Sequence, residues 1–214
     1  MKFLPKCMLI LSVLSLTAVA AMAQDDRTKF EFYGGYSYLS SETGLDGIDP
    51  GFNNRIGAHG FEAAATGNVH RYVGIKGDIS YHSHSKDLFV DPDNFVHAQL
   101  QTTQFVGGLQ FKDNQLGGGP FRPFAHVMAG IAHQNVSGSG IVTPPGPIVF
   151  DQSTNNFAMV FGGGVDLRAN DRISIRLIQV DYNPVFFGGG DFGTFTVDSR
   201  TQHNLRFGVG LVIH

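Results

Sequence analysis

Residues 204–214 read NLRFGVGLVIH, and their side chains divide by parity. Leu205, Phe207, Val209, Leu211 and Ile213 fall on one face of an extended strand, and Asn204, Arg206, Gly208, Gly210 and Val212 fall on the other. A ribbon with one apolar and one mixed face needs partners on both edges. Residues 30–39 match it, with Phe30, Phe32, Gly34, Tyr36 and Tyr38 on one face and Glu31, Tyr33 and Ser37 on the other. Pairing the last strand with the first would close a sheet into a barrel and leave no edge.

Six more alternating stretches lie between these two, at residues 57–68, 72–82, 99–112, 122–133, 156–168 and 172–182. In the last of them Ile173, Ile175 and Leu177 oppose Ser174 and Arg176, after which Ile178 and Val180 change face relative to Gln179 and Asp181. That break predicts a β-bulge. The connections alternate in length. Residues 40–54, 83–98, 135–154 and 183–201 are long and polar, and Pro144, Pro145 and Pro147 are expected to exclude regular pairing from the third. Residues 68–71, 113–120 and 169–171 are short. The expected architecture is all-β: one eight-stranded, antiparallel, up-and-down barrel.

Charge decides which face meets hydrocarbon. Glu31, Glu62, Lys76, Asp78, Asp166, Arg168, Arg176 and Arg206 all lie on the less apolar face of their strands. Charged residues make up 15% of the chain and mean hydropathy is −0.02, as expected when lipid-facing and interior-facing residues average out. A soluble lipocalin-like barrel with an apolar interior is the alternative that alternation alone leaves open. The net charge of −3, with no basic run, argues against nucleic-acid binding.

Residues 1–23 have the plan of an export signal. Lys2 and Lys6 precede an apolar core, and Ala21, Met22 and Ala23 form a cleavage site before Gln24. Cleavage there would remove Cys7, the one cysteine of the chain, and leave a mature barrel domain of residues 24–214 without a thiol.

The segments KFEFYGGYSYL, RPFAHVMAGIAH, FAMVFGGGVDLR and NLRFGVGLVIH resemble the small OmpA-like outer-membrane β-barrel family, the porin-like outer membrane protein β-barrel domain group. The spacing of Arg206, Gly208, Leu211 and Ile213 resembles that family's C-terminal assembly signal, although His214 stands where an aromatic residue is usual. The resemblance implies a location in the bacterial cell outer membrane, among outer-membrane lipid and lipopolysaccharide, and delivery by the barrel assembly machinery. It implies no cofactor. The peptidoglycan-binding domain of longer members has no counterpart in this sequence, so no cell-wall tether is expected.

The interior charges are the main candidate site. An eight-stranded barrel has room for little beyond its own side chains, so buried charges there need partners. Lys76, Arg176 and Arg206 are expected to face Glu31, Glu62 and Asp78, with Asp166 in the same network, and to plug the lumen. The alternatives are a narrow porin-like pore and a lipid A-modifying enzyme. His82, Ser83, His84, Ser85 and Asp87 supply the residue types of a Ser–His–acid hydrolase without its spacing, and His82 with His84 could offer two imidazoles to a metal. His126 reads as a hydrogen-bonded interior residue. The triple glycines at 117–119 and 162–164 precede no helix and read as turn and bend glycines. The expected role is non-enzymatic, structural or surface-interacting, with an extracellular ligand that the loops do not name.

Overall fold

The computed structural model describes residues 28–42, 55–91, 94–115, 119–142, 146–188, 190–191, 196–197 and 199–214. The expected leader, residues 1–23, lies outside them, as do residues 43–54 of the first long connection and Pro144 and Pro145 of the third. The described residues form strands β1 (Phe30–Glu42), β2 (Arg55–His70), β3 (Val73–Asp91), β4 (Asn94–Lys112), β5 (Phe121–Val142), β6 (Gly146–Arg168) and β7 (Ile173–Phe187). A two-stranded ribbon, β8 (Gly190–Asp191) and β9 (Thr196–Val197), precedes the last strand, β10 (Arg200–Ile213).

Eight strands close a barrel in the order β1-β10-β7-β6-β5-β4-β3-β2. The seam is antiparallel, running from Phe32 opposite Ile213 to Ser40 opposite Leu205. A walk across paired residues from Phe30 passes Gly67, Ile75, Leu109, Val127, Phe161, Tyr182 and Leu205 and returns to β1 at Ser40. Going once round the wall therefore climbs ten residues, and closure at that stagger tilts the strands by about 40°.

Burial runs opposite to that of a soluble domain. Among the described residues 29 polar or charged residues are buried against 12 hydrophobic ones, while 30 large hydrophobic residues are exposed. The apolar faces point outward and the charged faces inward, which overturns the alternative of an apolar interior. Phe30, Tyr72, Phe111 and Phe121 stand on the outer face beside the short turns, and Phe157, Tyr182 and Phe186 stand toward the long connections. Small apolar clusters interrupt the polar interior: Tyr33 with Ala64 and Val212, Val106 with Met128 and Val160, and Ala132 with Ala158 and Val185.

The parity break in β7 is a bulge. Val165 pairs with Ile178 but Asp166 pairs with Arg176, so Leu177 is extra, and Leu177 and Ile178 both face outward. Across from it, a Cβ on Gly164 would run into the Ile178 carbonyl, so only glycine lets the two strands approach there.

Four strands are longer than their sequences suggest. Residues 83–98 and 135–154 were expected as loops, yet β3 and β4 pair as far as Asp91 opposite Asn94, and β5 and β6 as far as Val142 opposite Gly146. Pro147 sits in the β6 ladder opposite Ile141, against the expectation that it would exclude pairing. This is tolerable because β6 is an edge at that height: its pairing with β7 begins only at Phe157. The last long connection is also shorter than expected, since β7 runs to Phe187 and β10 starts at Arg200.

Candidate functional site

Alternation on eight tilted strands sends one side chain in two into the lumen, and there the charged ones meet. The upper group centres on Arg206 of β10. Its Nη1 donates to Asp78 Oδ1 at 3.1 Å and to Ser80 Oγ at 3.2 Å. Nε donates to Asp181 Oδ2 at 2.9 Å, and Nη2 lies 2.7 Å from that oxygen and 3.6 Å from Glu62 Oε1. Lys76 lies 3.5 Å from Asp78 and 3.9 Å from Glu62, and its Nζ donates to His126 Nδ1 at 3.4 Å. His126 Nε2 in turn donates to Asp181 Oδ1 at 2.9 Å.

Gln179 links this group to a lower one. Its amide nitrogen donates to Glu62 at 2.9 Å and Asp181 at 2.7 Å, and its oxygen accepts from Arg176 Nη1 at 2.6 Å. Arg176 forks onto Asp166 at 2.8 and 3.2 Å, a bidentate match of the two planar groups. Lys112 bridges Asp166 at 2.8 Å and both oxygens of Glu31 at 3.0 Å. Gln110 donates to Glu31 at 3.3 Å, and His214 Nδ1 lies 3.5 Å from it. The Arg176 guanidinium is also held between two rings, 4.2 Å from the Tyr33 centroid and 4.0 Å from Phe124. Tyr33, Arg176 and Phe124 come from β1, β7 and β5, so the stack is a crossbar over the lumen.

Above this level the buried side chains among the described residues carry no carboxylate, lysine or arginine. Gln104 and Asn183 exchange amide hydrogen bonds at 2.7 and 3.4 Å, Gln134 donates to Gln202 at 3.0 Å, and Ser41 donates to Asn204 at 2.8 Å. At the opposite end, the turn residue Asp113 pairs with Arg71 at 3.2 Å. That hydrogen bond holds the Asp113 carboxyl below the usual carboxylate range.

The seven interior residues named from sequence are all buried in the lumen: Glu31, Glu62, Lys76, Asp78, Asp166, Arg176 and Arg206. Their partners differ in detail from the expected set. Lys76 and Arg206 meet Glu62 and Asp78, whereas Arg176 takes Asp166 and Glu31 takes Lys112. Lys112 and Asp181 were not counted. Lys112 shares the parity of Gln110 but sits at a strand end, and Asp181 faces inward only once the bulge is allowed for. Arg168 instead closes its own turn, donating to Asp171 at 2.7 Å.

The rim residues do not assemble. His82 is fully buried and shares a 2.9 Å hydrogen bond with Ser37, His84 donates to the Gly57 carbonyl at 2.7 Å, Ser83 accepts from Gln99 at 3.5 Å, and Asp87 pairs with His97. Among the described residues no group of three or more His, Cys, Asp or Glu is placed to hold a metal ion. In the last strand Leu211 and Ile213 face outward, Arg206 and Gly208 face inward, and the His214 ring reaches Ser174 at 2.7 Å.

A family model described as outer membrane protein beta-barrel domain matches residues 9–212. Two crystal structures of Ail, the attachment invasion locus protein of Yersinia pestis, are similar in fold. One aligns at 11% identity and TM-score 0.51, covering 88% of this chain and 99% of Ail. The other, of Ail with the heparin analogue sucrose octasulfate, aligns at 13% identity and TM-score 0.51, covering 86% and 99%. No curated protein matches the chain.

Proposed function

The chain belongs to the outer membrane protein beta-barrel domain family of the bacterial outer membrane, and from that premise we propose a non-enzymatic barrel that is plugged inside and acts through what it presents above the outer rim. One observation carries the plug: hydrogen bonds and ion pairs run without a break from Arg206 through Asp181, Gln179, Arg176, Asp166 and Lys112 to Glu31. Those side chains fill the cross-section that an ion would need. In planar bilayers the protein is expected to give small, irregular currents at most. Large, steady, ion-selective currents would make it a pore.

The non-enzymatic reading rests on the rim. The Ser–His contact formed there, Ser37 with His82, is sealed from both lipid and water. The apolar outer faces would be solvated by outer-membrane lipid and lipopolysaccharide, and the last strand, with Arg206, Gly208, Leu211 and Ile213, would be read by the barrel assembly machinery. Residues 1–23 would be removed on export. The intact mass of protein recovered from membranes should then start at Gln24, and a mass starting at Met1 would sink that reading.

Orientation follows from the connections, since barrels of this kind keep short turns on the periplasmic side. Val149 is 83% exposed on β6, and the Asp171 side chain is 93% exposed at a short turn. In a Cys7→Ser background, Val149→Cys should react with an impermeant maleimide on intact cells. Asp171→Cys should react only after the membrane is opened. The reverse pattern would invert the topology.

A further inference from the structure

The charges of the lumen do not sum evenly. The lower group is balanced, since Arg176 and Lys112 meet Asp166 and Glu31. The upper group is not. Arg206 and Lys76 face three carboxylates, Glu62, Asp78 and Asp181, and all five side chains are closed off from water. A negative charge left over in such a place is costly to bury.

The neighbouring groups do not supply the missing charge. The Lys76 ammonium can only donate, so His126 Nδ1, 3.4 Å away, carries no proton. Nε2 then holds the ring's one proton and donates it to Asp181 at 2.9 Å, which leaves His126 neutral. His82 on β3 shares a hydrogen bond with Ser37 and its Nδ1 has no partner, so a charge on that ring would itself be uncompensated. Arg176 on β7 is committed to Asp166. From β1, Tyr33 adds a phenol and no charge; its Oη and Glu62 Oε2 lie 3.2 and 3.5 Å from where a Cβ on Gly208 would stand.

Two orphaned oxygens mark where the missing positive charge belongs. Glu62 Oε2 and Asp78 Oδ2 are buried, and neither takes part in a hydrogen bond. The residues are diagonal neighbours on β2 and β3, with Glu62 opposite Ser80 and Ala64 opposite Asp78. Their carboxyls lie within hydrogen-bonding reach of each other. One proton between them satisfies both oxygens and brings the charge of the group to zero. It belongs to Glu62, because the cations sit nearer Asp78. Arg206 and Lys76 are 3.1 and 3.5 Å from Asp78, against 3.6 and 3.9 Å from Glu62.

We propose that Glu62 is a carboxylic acid in the folded barrel, donating its proton to Asp78, and that this proton locks the upper half of the plug. Its release breaks the Glu62 Oε2–H bond, sends the proton to solvent and leaves the electron pair on the carboxylate. Two like charges then stand side by side on β2 and β3, and Arg206 and Lys76 must answer three carboxylates. The lock rests on the plug described above; the state of Glu62 does not.

Infrared spectroscopy of the full chain, folded in an alkyl detergent that has no carbonyl of its own, reads the acid directly. At neutral pH the wild type should show the C=O band of a protonated carboxyl, shifted in heavy water, and Glu62→Gln should lack it. Glutamine keeps the shape, accepts from Gln179 and donates to Asp78, so this variant should be at least as stable at neutral pH. Refolding titrations in lipid vesicles then count the proton. The folding constant of the wild type is taken as a ratio to that of Glu62→Gln, so that the other titrating groups cancel. The ratio should fall as pH rises above about 4.3, where a free glutamic acid ionises. One proton held by the folded barrel and not by the unfolded chain makes that fall about tenfold per pH unit, until the pair gives it up. In planar bilayers the wild-type current should rise where the ratio levels off, and that of Glu62→Gln should not.

A wild-type spectrum without the band, a band that survives Glu62→Gln, or a ratio indifferent to pH would overturn the proposal. So would a Glu62→Gln barrel that does not fold on a heat-modifiability gel, because the charge on Glu62 would then be essential. A ratio that follows sodium or potassium concentration in place of pH would put a metal ion between the carboxylates and overturn it too. Currents that ignore pH would remove the lock. Large, steady wild-type currents at every pH, with the band present, would remove the plug itself and leave Glu62 as the acid.

Discussion

Replacing Arg206 with methionine should cost about 3–5 kcal/mol in a refolding titration in lipid vesicles, because it removes one partner from a buried ionic group and leaves the others behind. The guanidinium touches Asp78, Asp181 and Glu62, and all four groups are fully enclosed. Without it three carboxylates share Lys76, which lies 3.5 Å from Asp78 and 3.9 Å from Glu62. The loss is therefore of compensation more than of one attractive pair. Two consequences separate this from loss of packing. Asp181→Asn in the Arg206→Met background should recover part of the stability, and the cycle formed with the two single variants measures the coupling. Conductance should also rise, since the side chain that ties β10 to β3 across the lumen is gone. Additive costs and unchanged conductance would mean that water already solvates these charges.

Val209→Arg tests the outer face. Val209 sits on β10 opposite Tyr36, with its side chain outward and half-exposed, well inside the apolar band. Arginine near the bilayer midplane of a barrel wall costs about 2–4 kcal/mol, falling to about 0–1 near the interface. Leu205 faces the same way on the same strand but lies near the rim, opposite Ser40. Leu205→Arg should therefore cost much less than Val209→Arg in lipid vesicles. Equal costs at the two depths, or no cost at either, would place this face against water.

Alternation made the faces legible in the sequence and left heights illegible. Each of Glu31, Glu62, Lys76, Asp78, Asp166, Arg176 and Arg206 declared its side by parity, because a buried face and a lipid face differ in chemistry at every second residue. Which of them stand level depends on the stagger round the wall, and that is a property of all eight ladders together. Hence Arg176 meets Asp166 rather than Glu31, and Lys112, at the end of its pattern, turned out to be the partner Glu31 needed. The upper parts of β3 to β6 were illegible for a related reason. Above the lipid neither face of a strand has hydrocarbon to meet, so residues such as Ser137, Ser139, Ser153 and Asn155 pair as strand without an apolar period to betray it.

The long reach of the lumen contacts bears on how the chain gets to its native state in time. Wall ladders join neighbours in sequence everywhere except at the seam, so hairpins can form one after another at little entropic cost. The contacts across the lumen are different: Arg206 and Asp78 are 128 residues apart, Gln179 and Glu62 117, and Lys112 and Glu31 81. None can form until most of the wall is in place, so chain entropy is lost well before these contacts reward it. Contacts of that separation are expected to form in the last stage of assembly, after the rate-limiting barrier. Weakening them should leave the rate of folding nearly unchanged and let the finished barrel open faster, which makes the charged interior a determinant of lifetime in the membrane.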